Sequence, residues 1–176
     1  MKHLTIVALF VAGLSSCGDG KKDAAEQVAS DSTAAVPSAY VIDLAAYDLP
    51  LVVDLGDRST LGVDTATVVW NEEFGHLEVK AGERFSLTLT EAPGDLPRLK
   101  ADLDHDMLQK HTIVEETPEM LVYRSQFPDE SLVYIHFLRI ISVGERSFVV
   151  EDAVNGRFNE MDIKRMVGSV TAKSAV

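Results

Sequence analysis

Asp102-x-Asp104-x-Asp106 sets three carboxylates at alternate positions, the opening spacing of a calcium loop, where hard oxygens converge on one ion. Such a loop also needs glycine at its sixth position and a bidentate glutamate at its twelfth, and Met107 and Ile113 stand there instead. Adding His105 places Asp102, His105 and Asp106 at i, i+3 and i+4, a spacing that could hold a divalent ion on a helix surface. The run falls on a predicted helix, so it is read as a solvated acidic face, and no metal or other cofactor is expected. His76, His111 and His136 have no HxH or HxxxH spacing, and His136 is read as a hydrogen-bonded sheet histidine. The chain lacks a Gly-x-Ser-x-Gly nucleophile elbow and a glycine-rich phosphate loop. Cys17 is the only cysteine, which rules out an intrachain disulfide and leaves the fold to its packed core. No catalytic residue is assigned.

Cys17 finds its meaning in what precedes it. Lys2 is a short cationic start, Leu4 to Leu14 is an apolar run, and Leu14-Ser15-Ser16-Cys17 follows. This pattern resembles the signal peptide and lipobox of bacterial lipoproteins. The resemblance implies that Cys17 carries a thioether-linked diacylglycerol and that the chain is cut before it, residues 1–16 being the signal peptide. It also implies acylation of the new amino terminus. Several acyl chains on one residue give stable attachment, since each buried methylene contributes about 0.8 kcal/mol. The apolar run is too short to span, because a transmembrane helix needs about 20 apolar residues. Gly18 stands where an aspartate would resemble an inner-membrane retention signal, which favours an outer-membrane address if the source is Gram-negative.

Residues 17–38 form the lipidated cysteine and a tether rich in Gly, Ala, Ser, Asp and Lys. The tether lacks aromatic residues and an apolar period, so it is read as a flexible linker. Residues 39–176 suffice for one domain. The chain's net charge of −12 argues against nucleic acid, whose phosphates would repel it, and against adhesion to anionic lipid.

The elements that must position any site follow from periodicity. Val41–Leu44, Leu51–Leu55 and Thr65–Trp70 are short β-prone runs. Leu77, Val79 and Ala81, then Phe85, Leu87 and Leu89, alternate with polar residues around Gly82-Glu83, the pattern of a hairpin with one wet face. From Asp95 to Gln109, Leu96, Leu99, Leu103 and Met107 recur at three or four residues and predict an amphipathic helix with Pro97 in its first turn. Thr112–Glu115, Leu121–Phe127 and Leu132–Val143 return to strand character, the last apolar on both faces and therefore central. Gly144-Glu145 turns the chain back through Ser147–Asp152, which opposes Arg139 to Val150, sets Asp152 diagonal to Arg139 as a structural ion pair, and sets His136 diagonal to Glu151. Asn159 reads as the N-cap of a closing helix with Asp162 in its first turn and Ile163, Met166, Val167 and Val170 as its stripe. The class is α+β, a mainly antiparallel sheet with two amphipathic helices.

Phe158, Asp162-Ile163, Met166 and Ser169, with the strand order before them, resemble the PsbP-like fold. That resemblance implies a binding or assembly-factor scaffold. The functional expectation is a membrane-anchored, non-catalytic binding or accessory domain for a protein partner or small ligand in the cell envelope. The alternative is an envelope enzyme of hydrolase type using carboxylates such as Asp102 and Glu151, with or without a divalent metal. Replacing Cys17 with Ala should leave an unprocessed precursor, read by mass spectrometry of the membrane fraction; wild-type protein lacking an acyl mass on its amino terminus would refute lipidation.

Overall fold

The computed structural model describes residues 40–62 and 65–174, so Cys17, the apolar run before it and the tether lie outside the described residues. Two sheets form. The smaller has three strands in the order β1-β2-β10: β1 (Val41–Asp43), β2 (Leu51–Asp54) and β10 (Val170–Ala172), the last two paired antiparallel although they come from opposite ends of the domain. The larger has seven: β3 (Thr67–Asn71), β4 (His76–Lys80), β5 (Ser86–Glu91), β6 (Lys110–Thr117), β7 (Met120–Gln126), β8 (Tyr134–Val143) and β9 (Arg146–Asp152). Their order is β3-β4-β5-β9-β8-β7-β6 with every pairing antiparallel. The helices are the single turn α1 (Arg58–Leu61), α2 (Leu96–His105) and α3 (Glu160–Ser169). This is the α+β, mainly antiparallel architecture that the periodicity predicts.

Strand alternation divides the core in two. Leu77, Val79, Phe85, Leu87, Leu89, Phe137, Phe148 and Val150 turn to one face, where the small sheet and α3 cover them. Burying each such side chain contributes about 1.5–3 kcal/mol. Leu121, Leu138 and Val149 turn to the other face, where Leu96, Leu99 and Leu103 of α2 meet them. Gly94, at φ +69°, carries the chain from β5 into α2 so close to the sheet that a Cβ would lie 2.6 Å from Ile140 Cδ1. Only glycine fits that approach. Asp95 then caps α2, its carboxylate accepting the Arg98 N–H at 2.9 Å.

The closing helix docks through Ile163 and Met166 as its stripe predicts, but it ends at Ser169, and Val170 opens β10 in place of extending the stripe. Asn159 and Asp162 form a reciprocal capping box, and Met166 is fully buried, its sulfur accepting the Ser86 N–H at 3.4 Å. Asp162 is buried as well and meets Arg84 Nε at 3.1 Å. At the other end Arg139 Nη1 donates to the carbonyls of Val167 at 2.6 Å and Val170 at 3.1 Å, placing a cation where the helix dipole is negative. Arg139 is therefore spent on α3, and the predicted pair with Asp152 does not form.

Two more expectations are corrected. Met107 was placed on the α2 stripe, but the helix ends at His105 because Asp106 takes an extended conformation, and Met107 is 96% exposed. Strand β8 begins at Tyr134, leaving Leu132 and Val133 exposed in the loop before it. Met166→Asp should lower the stability of the full chain by more than about 3 kcal/mol, since it buries an unpaired charge. Lys164→Ala, on the exposed face of α3, should change it by less than about 0.5 kcal/mol. Equal thermal midpoints for the two variants would show that α3 does not dock.

Candidate functional site

On the face that α2 covers, register aligns a row of polar side chains beyond the helix. His111 of β6 opposes Ser125 of β7, Tyr123 of β7 opposes His136 of β8, and Glu151 of β9 lies beside Thr88 of β5, which opposes Glu78 of β4. Between this row and the carboxyl end of α2 lies a cleft of about 350 Å³. Its described lining includes the carboxylates of Asp102, Asp106, Glu151 and Asp152, the two histidines His111 and His136, and neither lysine nor arginine.

Two histidines are held by carboxylates in it. Asp152, buried at the end of β9, accepts the Phe137 N–H on Oδ1 at 2.7 Å and meets His136 Nδ1 on Oδ2 at 2.8 Å. This places the proton of His136 on Nδ1 and leaves Nε2 as its second hydrogen-bonding atom. Tyr134 stacks on the same imidazole with ring centres 6.4 Å apart, and Tyr123 lies tilted at 5.5 Å. His111 is fixed from both sides: Nε2 lies 2.9 Å from Asp106 Oδ2 and Nδ1 lies 2.8 Å from Ser125 Oγ. Asp106 also accepts the Leu108 and Gln109 N–H groups, so it shapes the loop leaving α2 while it holds the histidine. The hydrogen bond from His111, aided by these amides, holds the Asp106 carboxyl below its usual range.

Asp106, His111 and Ser125 thus form a chain of the types used in acyl transfer. Ser125, however, is only 2% exposed, and a nucleophile needs its target carbon within about 3–3.5 Å. The chain is a structural tie. Burial, then the charges of Asp152 and Glu151, push the phenol of Tyr123 up to about 12. It stays a hydrogen-bond donor at neutral pH.

Glu151 differs from its neighbours. Burial is the main reason that its carboxyl is raised above the ordinary value, Asp152 adds to it, and His76 opposes it. Thr88 and Val154 also line an adjoining hollow of about 320 Å³, where Glu78 accepts from Asn71 Nδ2 at 2.8 Å and meets His76 Nε2 at 3.1 Å. Phe74 stacks on that imidazole. A larger hollow, about 420 Å³, opens between α3 and β6–β8, walled by Val122, Ile135, Ile163 and Val167. Its lining is mostly apolar, with Glu115, Glu160 and Lys164 as its charged groups, whereas the polar cleft brings together two carboxylate-held histidines and Glu151.

The acidic run of α2 does not come together as a ligand set. Asp102 is exposed beside Arg98, and His105 Nδ1 turns back to within 2.6 Å of the Ala101 carbonyl. Of the residues singled out by spacing, Asp102 and Asp106 reach the cleft, while Glu151, His111 and His136 arrive by sheet register. Ser125 and Tyr123 were missed altogether. The legible part was the period-2 face that sets His136 diagonal to Glu151; the partnership of β6 with β7 across the row is long-range and carries no local spacing. Phe158, Asp162, Ile163, Met166 and Ser169, which carry the PsbP-like resemblance, are all buried, and none lines the polar cleft. No family model, curated protein or solved structure matches the chain.

The raised carboxyl of Glu151 has a stability consequence. A group that holds its proton more tightly in the folded chain weakens the fold as pH rises from the ordinary glutamate range through its raised value. Glu151→Gln should therefore raise the thermal midpoint at pH 7 and leave it nearly unchanged at pH 4, measured by calorimetry at both values. A gain of equal size at both would assign the effect to packing.

Proposed function

We propose that the chain is a lipid-anchored binding domain of the cell envelope, tethered through Cys17 and residues 17–38, whose binding site is the polar cleft beside α2. The lipobox supports the anchor, and Gly18 supports an outer-membrane address in a Gram-negative source. One observation carries the binding reading. The cleft gathers oriented hydrogen-bonding groups in one hollow, His136 fixed by Asp152 and His111 fixed between Asp106 and Ser125. Convergent, oriented polar groups in a concave site suit recognition.

A second reading rests on a different observation in the same place. His136 is fixed by buried Asp152 beside Glu151, whose carboxyl burial raises above its ordinary value, so an imidazole and a carboxyl share the cleft, the two kinds of group that a hydrolase acting through water uses. Melting the full chain in detergent against a panel of small polar compounds separates the two. A ligand present at 100 times its dissociation constant stabilises by about 2.7 kcal/mol. The expected result is a compound that raises the midpoint of wild type but not of His136→Gln, and that is recovered unchanged. Recovery of hydrolysed compound from wild type alone would shift the reading to the enzyme, and a shift equal in both proteins would place the site elsewhere.

A further inference from the structure

We propose that the partner of this cleft is a basic, amphipathic protein segment, with a lysine or arginine side chain entering toward Glu151 and its apolar neighbours resting on the loop tips at the mouth. This rests on the reading that the cleft is the binding site, and it names what the site takes.

The first support is the placement of exposed apolar side chains. Lys110 pairs with Gln126 and Ser125 with Tyr134, while Asp152 bonds the Phe137 N–H, so the loop before β6, the loop between β7 and β8, and the loop after β9 all leave the sheet at one end. Those loops carry Met107 at 96% exposure, Leu108 at 73% and Val154 at 88%. Singly, such residues are ordinary. Here Val154 itself lines the cleft and its two neighbouring hollows, and Asp106 and Gln109, which bracket Met107 and Leu108, line the cleft too. Exposed apolar side chains thus stand at the mouth of a polar cleft, where they can cover the apolar part of a segment whose charged side chain enters it.

The second support is charge complementarity. Elsewhere several acidic side chains are met by the protein's own cations: Asp43 by Lys173, Glu91 by Arg146, Glu116 by Lys100, Glu160 by Arg124 and Asp162 by Arg84. In the cleft Asp106 and Asp152 face histidines, Asp102 has the exposed Arg98 at 3.8 Å, and Glu151 has neither an ion pair nor a hydrogen bond among the described residues. Arg157 is exposed in the adjoining depression with Phe127 and Tyr134. Glu151 is part-buried, and an incoming ammonium or guanidinium gives it the ionic partner that the chain does not supply. Tyr134 and Tyr123 flank the site with aromatic faces on which a guanidinium stacks.

The test titrates the full chain in detergent with labelled peptides by fluorescence anisotropy. One peptide alternates lysine and leucine, a second replaces lysine with glutamine, and a third replaces leucine with serine. The lysine–leucine peptide should bind at least about tenfold more tightly than either control and lose about tenfold on Glu151→Gln or on the paired Met107→Ser and Val154→Ser change. Equal affinity for the glutamine–leucine peptide, or no effect of Glu151→Gln, would overturn the inference. If neutral compounds stabilise the chain through His136 while the basic peptides do not bind, the cleft stands and the basic partner falls. If nothing engages His136 or Glu151, both fall. Slowed hydrogen exchange at Met107, Leu108 and Val154 on moving the chain without peptide from detergent into phosphatidylcholine nanodiscs would overturn it in favour of a membrane-contacting end.

Discussion

The seven-stranded sheet carries apolar side chains on both faces, and the chain has unequal material with which to cover them. Neighbouring strands lie about 4.8 Å apart, so seven span about 29 Å between the outer two. One face receives the three-stranded sheet and α3. The other receives α2 alone, whose ten residues reach about 15 Å at about 1.5 Å per residue. Leu96, Leu99 and Leu103 therefore shield only Leu121, Leu138, Val149 and their neighbours. Past the end of the helix the same face must meet water, and the sequence switches there to His136, Glu151, Thr88, Tyr123 and Ser125. The site exists because the helix stops. Asp106 stops it, and the same carboxylate then holds His111.

The two acids at the end of β9 show how strand alternation separates chemical roles between neighbouring residues. Asp152 follows the inward face of Phe148 and Val150, but it stands where the β8–β9 ladder ends after the Leu138–Glu151 pair. Its carboxylate takes the Phe137 N–H that a continuing strand would have taken, and its second oxygen is left for His136. Both lone-pair sets are engaged. Glu151 points to the opposite face with no such partner, and the charge of Asp152 beside it makes ionisation harder still. A structural carboxylate and an unsatisfied one thus sit on consecutive residues, and the first positions the histidine that flanks the second.

Much of this was legible from local pattern. Period-2 alternation located β4 and β5 and the two-faced β8, and the Asn159–Asp162 box marked the start of α3 because capping is a matter of three residues. What escaped was long-range. The β2–β10 pairing joins residues more than a hundred positions apart through strands of four and three residues, too short to show a period. Met107 fits the helical spacing as well as Leu103 does, and only the Asp106 hydrogen bonds to Leu108 and Gln109 decide that the helix has already ended. His111 and His136 look scattered because the row that unites them runs across strands, perpendicular to the sequence. The predicted Arg139–Asp152 pair failed for a related reason, since two helix-terminal carbonyls arriving from α3 gave the guanidinium stronger partners.

The acidity of the chain means different things in different places. A net charge of −12 spread over a surface keeps a protein soluble and repels nucleic acid without specifying a partner. An exposed carboxylate on α2 such as Asp104 serves in that way, screened by salt over about 8–10 Å. The carboxylates inside the cleft are screened less, because the protein around them excludes water and ions. An unbalanced charge there acts on whatever enters at short range, where discrimination between a cation and a neutral group is largest. On the proposed reading the surface charge sets which molecules approach, and Glu151, flanked by rings and fixed histidines, sets which of them stay.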